Sequence, residues 1–360
     1  MARAHNFSAG PAILPMEVLE ATSKAVLEYN GTGMSIMEMS HRSKEYDEVF
    51  VETQNNALKI LGLSPDEYTV LFLGGGASTQ FIMIPMNFLR TNADYVNTGA
   101  WAKKAGKEAA YVGKANIIAS SEDTVFNYIP KDIKWNADAD YAHYTTNNTI
   151  YGTRWNDIPN VGDVPLVADM SSDMMSRPMD YSKFSLIYAG AQKNIGPAGV
   201  TMVIIKNSWL ETAKTDAPTM MRYKTHADKG SMFNTPPTLP VYIVGETFKW
   251  ILKNGGLEGI QKMNEEKAGL LYGFIDANND FYNGTVLDKN DRSLMNITWN
   301  LPNADLEAKF VAEAKAKHNM TNLKGHRSVG GIRASIYNAC PKSSVEALVS
   351  FMDEFMKANK

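Results

Sequence analysis

Cysteine is nearly absent: Cys340 is the only one in 360 residues. A single thiol makes no internal disulfide, no CxxC redox pair and no multi-cysteine zinc site. Charge of one sign is missing as well. Lysine and arginine total 36 against 39 acidic residues, a net charge of −3, which argues against a bulk electrostatic grip on nucleic acid or anionic membrane. No apolar run reaches the roughly 18 residues needed to span a bilayer. No repeat of fixed period and no low-complexity tract is present, which excludes solenoids and long disordered tails. The first eleven residues, Met1 to Pro11, contain no hydrophobic signal-peptide core. We therefore expect a cytoplasmic protein that works on small molecules, without nucleic-acid or membrane partners and without a metal.

What is present is ordinary in bulk, 44% hydrophobic and 21% charged, with a length that suggests about two domains. Val18, Leu19, Thr22, Val26 and Tyr29 recur at helical spacing up to Asn30-Gly31, and Tyr46, Val49, Phe50, Thr53, Ala57 and Ile60 do so up to Gly62. Short apolar segments of strand length follow: Tyr68–Leu73, Tyr95–Asn97, Asn116–Ala119, Tyr141–Thr145, Pro165–Ala168, Leu186–Ala189 and Val200–Ile205. Helical patterns such as Ala102–Tyr111 separate several of them. Continuously apolar strands alternating with helices predict an α/β fold with a mostly parallel sheet covered on both faces. Ligands of such sheets sit beyond the carboxyl ends of the strands. After Pro236 the pattern changes to long helices and then to a mixture of strands and amphipathic helices, an α+β arrangement. The division falls between about Gly255 and Asn283. The expectation is a large domain over 16–260 and a smaller C-terminal one over 261–360, with segment 1–15 packed near the active site.

Strand ends hold the chemistry. In Leu73-Gly74-Gly75-Gly76-Ala77-Ser78-Thr79 a strand enters a glycine turn and then a helix, a setting in which backbone N–H groups can hold a phosphate. A purely structural turn gives the same pattern, and neither a Walker A loop nor a Rossmann GxGxxG is present. Pro85 inside that helix predicts a kink or an early break. Lys193 stands alone among small residues in Ala189-Gly190-Ala191-Gln192-Lys193-Asn194. It is either a solvated lysine or one with the lowered pKa that a Schiff base requires. Asp169 ends an apolar strand; it either caps the next turn or keeps a pyridine nitrogen protonated. Trp101 either stacks on a planar ligand or fills the core, and Thr149 either donates to a ring hydroxyl or caps a turn.

Arginine is scarce, 9 against 27 lysines, and there are 6 histidines, yet His41-Arg42 and His326-Arg327 are adjacent pairs. About 0.15 such pairs are expected by chance. With Arg333 beyond Gly330-Gly331, these loops suit a dianion, although each arginine could instead meet a surface acid. His5, His143, His226 and His318 have no metal-ligand spacing and receive no role.

Together these pieces resemble the class V aminotransferases among the fold-type I pyridoxal-phosphate (PLP) enzymes and, within that group, the phosphoserine aminotransferases. Carrying the resemblance are Asn6 to Ala12, Met39-Ser40-His41-Arg42-Ser43-Lys44, the 74–79 turn, Ala189 to Gly199, Gly230 to Thr238 and Lys324 to Ser335. It implies that Lys193 bears PLP, that Asp169 pairs with the pyridinium nitrogen, that Trp101 stacks on the ring and that Thr149 contacts its hydroxyl. It also implies that Ala77, Ser78 and Gln192 hold the cofactor phosphate together with Asn234 and Thr235 of a second subunit, in a homodimer with shared active sites. Substrate anions would meet His41, Arg42, His326, Arg327 and Arg333. Some members carry an arginine in the glycine turn; here the turn reads Ala77-Ser78-Thr79. The implied reaction converts L-glutamate and 3-phosphohydroxypyruvate to 2-oxoglutarate and O-phospho-L-serine in serine biosynthesis, with 4-phosphohydroxy-L-threonine of vitamin B6 biosynthesis as a second substrate. An alanine–glyoxylate-type aminotransferase is the alternative, and it would not need the paired His-Arg loops. A cysteine desulfurase would need Cys340 as its nucleophile.

Overall fold

The computed structural model describes residues 3–360, so Met1 and Ala2 of the N-terminal segment lie outside it. In chain order its first elements are β1 (His5–Asn6), α1 (Met16–Leu27), α2 (Lys44–Leu61), β2 (Tyr68–Leu73), α3 (Gly76–Phe88), β3 (Asn92–Asn97), α4 (Ala100–Ala110) and β4 (Lys114–Ser120). Next come β5 (Ala142–Thr145), β6 (Leu166–Asp169), β7 (Leu186–Gly190), β8 (Thr201–Lys206), α5 (Asn207–Leu210), α6 (Tyr223–Ala227), α7 (Thr238–Lys253) and α8 (Gly256–Ala277). The chain closes with β9 (Asn283–Gly284), β10 (Asn296–Asn300), α9 (Ala304–His318), β11 (Met320–Thr321), β12 (Ile332–Ser335) and α10 (Lys342–Asn359).

All seven apolar segments picked out in the sequence become strands of one sheet, ordered β2-β8-β7-β6-β5-β3-β4. Neighbours pair in parallel except at β8, which is antiparallel to both β2 and β7. Alternate residues of each strand enter different cores. Val167, Leu186, Tyr188 and Val203 pack with Phe81 and Phe88 of α3 and Ala105 of α4. On the other face Ala168, Ile187, Ala189 and Met202 pack with Phe50 of α2 and Val244 and Phe248 of α7. Burial on both faces is why these strands read as unbroken apolar runs.

Two local expectations differ from the structure. Strand β3 begins at Asn92, three residues before the expected start, because Asp94 is buried with partners: its carboxylate accepts from Asn136 N–H at 2.7 Å and Asn116 Nδ2 at 3.0 Å. Polar residues concealed that stretch of strand. Helix α3 continues past Pro85 to Phe88. A proline so near the end removes only one hydrogen bond of the helix.

The C-terminal part forms an antiparallel sheet, β12-β10-β9. Trp299 and Ile332 of that sheet share a core with Leu271 of α8, Phe310 of α9 and Phe351 of α10. Helix α8 reaches both parts: Leu257 and Ile260 belong to the core of the large sheet, and Ala268, Leu271 and Ile275 to the C-terminal core. The N-terminal segment bridges them too. Phe7 and Ile13 are in the C-terminal core, while Ala12 N–H donates to the Gln192 carbonyl at 2.8 Å.

Candidate active site

Because β2, β3, β5, β6 and β7 run in one direction, their carboxyl ends lie along one edge of the sheet. The residues that follow them are Gly74, Thr98, Thr146, Met170 and Ala191. Lys193 lies three residues beyond β7, and its Nζ donates to Thr149 Oγ1 at 2.7 Å. Asp169 is the last residue of β6 and is buried, with Oδ1 accepting from Ser171 N–H at 2.9 Å. Arg333 reaches in from β12 and donates through Nη1 to the Thr149 carbonyl at 3.4 Å, while its Nε is buried without a partner. The structure thus brings Lys193, Asp169, Thr149, Gln192 and Arg333 together. These residues come from three strand ends or loops and from the C-terminal sheet.

Electrostatics set the protonation of this group. Burial lowers Lys193 to about 8, against the opposing pull of Asp169 and with a further push from Arg333. Burial raises Asp169 above the usual carboxylate range, offset by hydrogen bonding from Ser171 and by the charge of Lys193. Asp173, one turn further on, is pushed up to about 6 by burial and accepts from Thr146 Oγ1. In the apoprotein, reductive labelling of Lys193 by a neutral aldehyde should therefore rise through about pH 8 and then level off, whereas exposed lysines continue to gain toward 10.5. Peptide mapping across pH checks it. Between these two values the native state binds fewer protons at this site than the unfolded chain, so the contribution of Lys193 to stability improves as pH rises from about 8 to 10.5.

Ala77 and Ser78 occupy the first turn of α3, whose N-terminus has no side-chain cap. Its N–H groups therefore remain available to an anion. Gly75 is the N-cap at φ 86°, and a Cβ there would lie 2.0 Å from Thr79 Oγ1. Only glycine fits this cradle. Trp101 lies in the first turn of α4, half-buried, with Lys104 Nζ 4.4 Å from its ring centroid. His326 is half-buried and held below its usual pKa by burial and by Arg333, Arg327 and Lys104. Arg327 is exposed. A cavity of 330 Å³ opens beside Arg333, walled by Ile150, Tyr151, Trp299, Asn300 and Gly325. A larger one of 690 Å³, between Trp135, Trp155 and Asp291, contains no candidate residue.

Four residues stand apart. Among the described residues, His41, Arg42, Asn234 and Thr235 make no hydrogen bond or ion pair with Lys193, Asp169, Thr149 or Arg333. His41 and Arg42 precede α2, with His41 Nε2 buried and unpartnered. Asn234 and Thr235 are exposed on a loop that Ser231 fastens to β2, exchanging hydrogen bonds with Phe72 N–H at 2.8 Å and its carbonyl at 3.1 Å. The sequence reading passed over Lys104 and Asp173. Lys104 had a usable signal, since it follows Trp101 by three residues on one helix face. Asp173 had none, because its burial depends on distant segments. Cys340 is buried and its thiol pushed up to about 11, which removes it as a nucleophile.

These residues fit PLP: an uncapped glycine-cradled helix N-terminus for its phosphate, a buried carboxylate for its ring nitrogen, an aromatic side chain and a lysine of lowered pKa. The class V aminotransferase family model matches residues 4–348. Phosphoserine aminotransferase of Desulfatibacillum aliphaticivorans is 55% identical over 361 residues, 99% of each chain. The solved phosphoserine aminotransferase from Bacillus circulans subsp. alkalophilus superimposes with a TM-score of 0.97 at 50% identity, covering 99% of both chains. A PLP-bound phosphoserine aminotransferase from Trichomonas vaginalis does so with 0.91 at 38% identity, over 98% of this chain and 100% of that one. An alanine–glyoxylate aminotransferase from Nostoc sp., at 14% identity and 0.78 over 99% of this chain and 96% of that one, shares the fold alone. From strand-end lysine to full-length identity, the observations agree that the chain belongs to the class V aminotransferases and, within them, to the PLP-dependent phosphoserine aminotransferase family.

Proposed function

We propose that this chain transfers the amino group of L-glutamate to 3-phosphohydroxypyruvate, giving O-phospho-L-serine and 2-oxoglutarate for serine biosynthesis. Full-length identity of 55% to a phosphoserine aminotransferase carries this reading. The phosphorylated keto acid related to 4-phosphohydroxy-L-threonine has the same distal phosphate and is a second substrate. When bound, PLP supplies an electron sink for charge that develops at the substrate Cα. Asp169 would hold its ring nitrogen, Trp101 its ring and Thr149 its ring hydroxyl. Ala77, Ser78 and Gln192 would hold its phosphate.

The protein's own groups do the rest. Lys193, neutral above about pH 8, takes the proton from the substrate Cα. Arg333 is mounted on β12 opposite Thr298 and places a two-pronged fork on the α-carboxylate. His41, Arg42, His326 and Arg327 receive the distal anion, phosphate in one half-reaction and γ-carboxylate in the other. Asn234 and Thr235, exposed beside β2, complete the cofactor-phosphate site of a second copy in a homodimer. Residues 16–260 and 261–360 act as two domains that meet at this site, with the N-terminal segment beside it. The working compartment is the cytoplasm. Among the described residues no helix is long and apolar enough to cross a membrane.

The test compares kcat/KM for phosphoserine and alanine. Arg333→Lys keeps the charge but loses the fork, so both amino acids decline by a similar factor. Arg42→Ala lowers the phosphoserine-to-alanine ratio by roughly 10- to 150-fold, the equivalent of one charge-assisted hydrogen bond, because alanine has no distal anion to lose. A ratio that Arg42→Ala leaves unchanged would falsify the distal-anion role, and a wild-type enzyme indifferent to phosphate on its acceptor refutes the substrate.

A further inference from the structure

Next to the residues of the site in sequence lie buried amides and hydroxyls that bond to one another. Asn147 precedes Thr149, Ser172 follows Asp169, Asn194 follows Lys193 and Ser335 follows Arg333. Ser172 Oγ donates to the Asn147 carbonyl at 2.7 Å, and Asn194 Nδ2 donates to the Ser172 carbonyl at 3.2 Å. Three further bonds cross to the C-terminal part. Asn147 Nδ2 donates to Asn296 Oδ1 of β10 at 2.8 Å, and Asn338 N–H donates to Asn194 Oδ1 at 3.0 Å. Asn338 Nδ2 donates to the Met175 carbonyl at 3.0 Å. Asn147, Asn194, Asn296 and Asn338 are at most 4% exposed.

The partners fix how these amides are turned. Asn194 meets a main-chain N–H at one end and a main-chain carbonyl at the other. Asn338 Nδ2 faces a carbonyl, and its Oδ1 accepts from Asn264 Nδ2 at 2.8 Å. Tyr337 Oη gives its only proton to the Ala9 carbonyl at 2.9 Å, so it accepts from Asn296 Nδ2 at 3.1 Å. That leaves Asn296 Oδ1 for Asn147.

These bridges set where Arg333 stands. In the antiparallel pair β10–β12, Asn296 lies opposite Ser335 and Thr298 opposite Arg333, so the four side chains project from one face. Asn296 Nδ2 also donates to Ser335 Oγ at 3.0 Å. Arg333 itself has a weak hold on the large sheet, one bond of 3.4 Å to the Thr149 carbonyl, with Nε unpartnered. Its place therefore depends on its mount. Apolar contact alone lets packed elements slide, whereas buried hydrogen bonds between directed groups admit one register.

We propose that Asn296 and Asn338 are positioning residues that act through Arg333, fixing its distance from Lys193 and so its grip on the α-carboxylate of the amino acid. This rests on the reading of Arg333 as the carboxylate fork. The groups assigned to PLP all lie outside the C-terminal sheet, so the bridges govern the amino acid and not the cofactor.

The experiment is a double-mutant cycle on equilibrium binding. PLP-loaded protein is titrated with 2-methylglutamate, which has no hydrogen on Cα and is bound without turnover, and each apoprotein is titrated with PLP. A misplacement of about 1 Å can cost about 100-fold, and loss of one bridge among three, in Asn296→Ala or Asn338→Ala, weakens 2-methylglutamate by about tenfold. The Kd for PLP is unchanged. In the Arg333→Lys background the same substitutions have an effect of less than about twofold, because residues that act through one another are not additive. Tenfold weakening that persists in that background overturns the proposal, as does equal weakening of PLP or undiminished binding of 2-methylglutamate. Asn338→Ala leaves the β10–β12 pair intact, so the test stands even where Asn296→Ala does not fold. If Arg333→Lys alone leaves 2-methylglutamate binding unchanged, the reading of Arg333 is removed and the role of the bridges with it.

Discussion

Lys193→Ala lowers the transamination rate by about 10,000-fold or more, the upper end of what a single acid–base group contributes. On the proposed reading, the variant loses both the attachment point of PLP and the base at Cα. The phosphate contacts proposed at the uncapped end of α3 are untouched, so cofactor should bind without a link that borohydride can reduce. Wild-type protein treated with borohydride should yield one modified peptide, containing Lys193. Modification of any of the other 26 lysines contradicts the assignment. The same variant tests assembly. Mixed with inactive Thr235→Pro under conditions that exchange subunits, it should recover partial activity, because each heterodimer has one site with Lys193 from one chain and Thr235 from the other. No recovery after demonstrated exchange means that Thr235 serves its own chain's site.

Lys267→Met, at a residue with no proposed substrate contact, destabilises the apoprotein by about 2–4 kcal/mol. Lys267 lies on α8, almost fully buried, and its ammonium donates to three carbonyls, Ile336 at 3.1 Å, Tyr337 at 2.7 Å and Asn338 at 3.2 Å. Burial lowers it to about 8, as it does Lys193. Methionine fills most of the volume and leaves the Ile336 and Asn338 carbonyls without a donor, each costing about 1–3 kcal/mol, partly offset by no longer burying a charge; the Tyr337 carbonyl keeps the Cys340 N–H at 2.9 Å. Urea unfolding of the two apoproteins measures the difference. An unchanged midpoint means that the carbonyls have found other donors. The two lysines share a lowered pKa yet differ in partners. Lys193 has one hydroxyl acceptor and is free to change partners, and Lys267 has all three protons committed.

Much of the candidate site was legible in the sequence. Lys193 and Asp169 declared themselves as charged residues at the ends of apolar strands, and the 74–79 turn declared itself by three consecutive glycines. Such signals are local, and local backbone geometry follows from a few neighbouring residues. The His-Arg pairs were visible as a statistical anomaly, but pairing in sequence did not decide position. His326 is placed among Arg333, Arg327 and Lys104, whereas His41 and Arg42 precede α2 without a hydrogen bond to the other candidates. His143 looked like one more residue of a core strand. Its hydrogen-bond partner Tyr188 is 45 residues away in sequence, and only the pairing of β5, β6 and β7 brings them to one face.

The order of apolar and polar residues, with glycine at the turns, was enough to dictate the seven strands, the helices between them and the edge at which ligands collect, because each of these depends on whether a short segment can be buried. Which strands lie side by side was decided in three dimensions. The insertion of β8 between β2 and β7 in the opposite direction, the approach of Arg333 from the C-terminal sheet and the passage of the N-terminal segment past Gln192 all rest on contacts between distant residues. The chemistry of Lys193 belongs to that second class. A lysine's pKa falls when many atoms from separate segments displace its water, and no stretch of neighbouring residues records how many of them arrive.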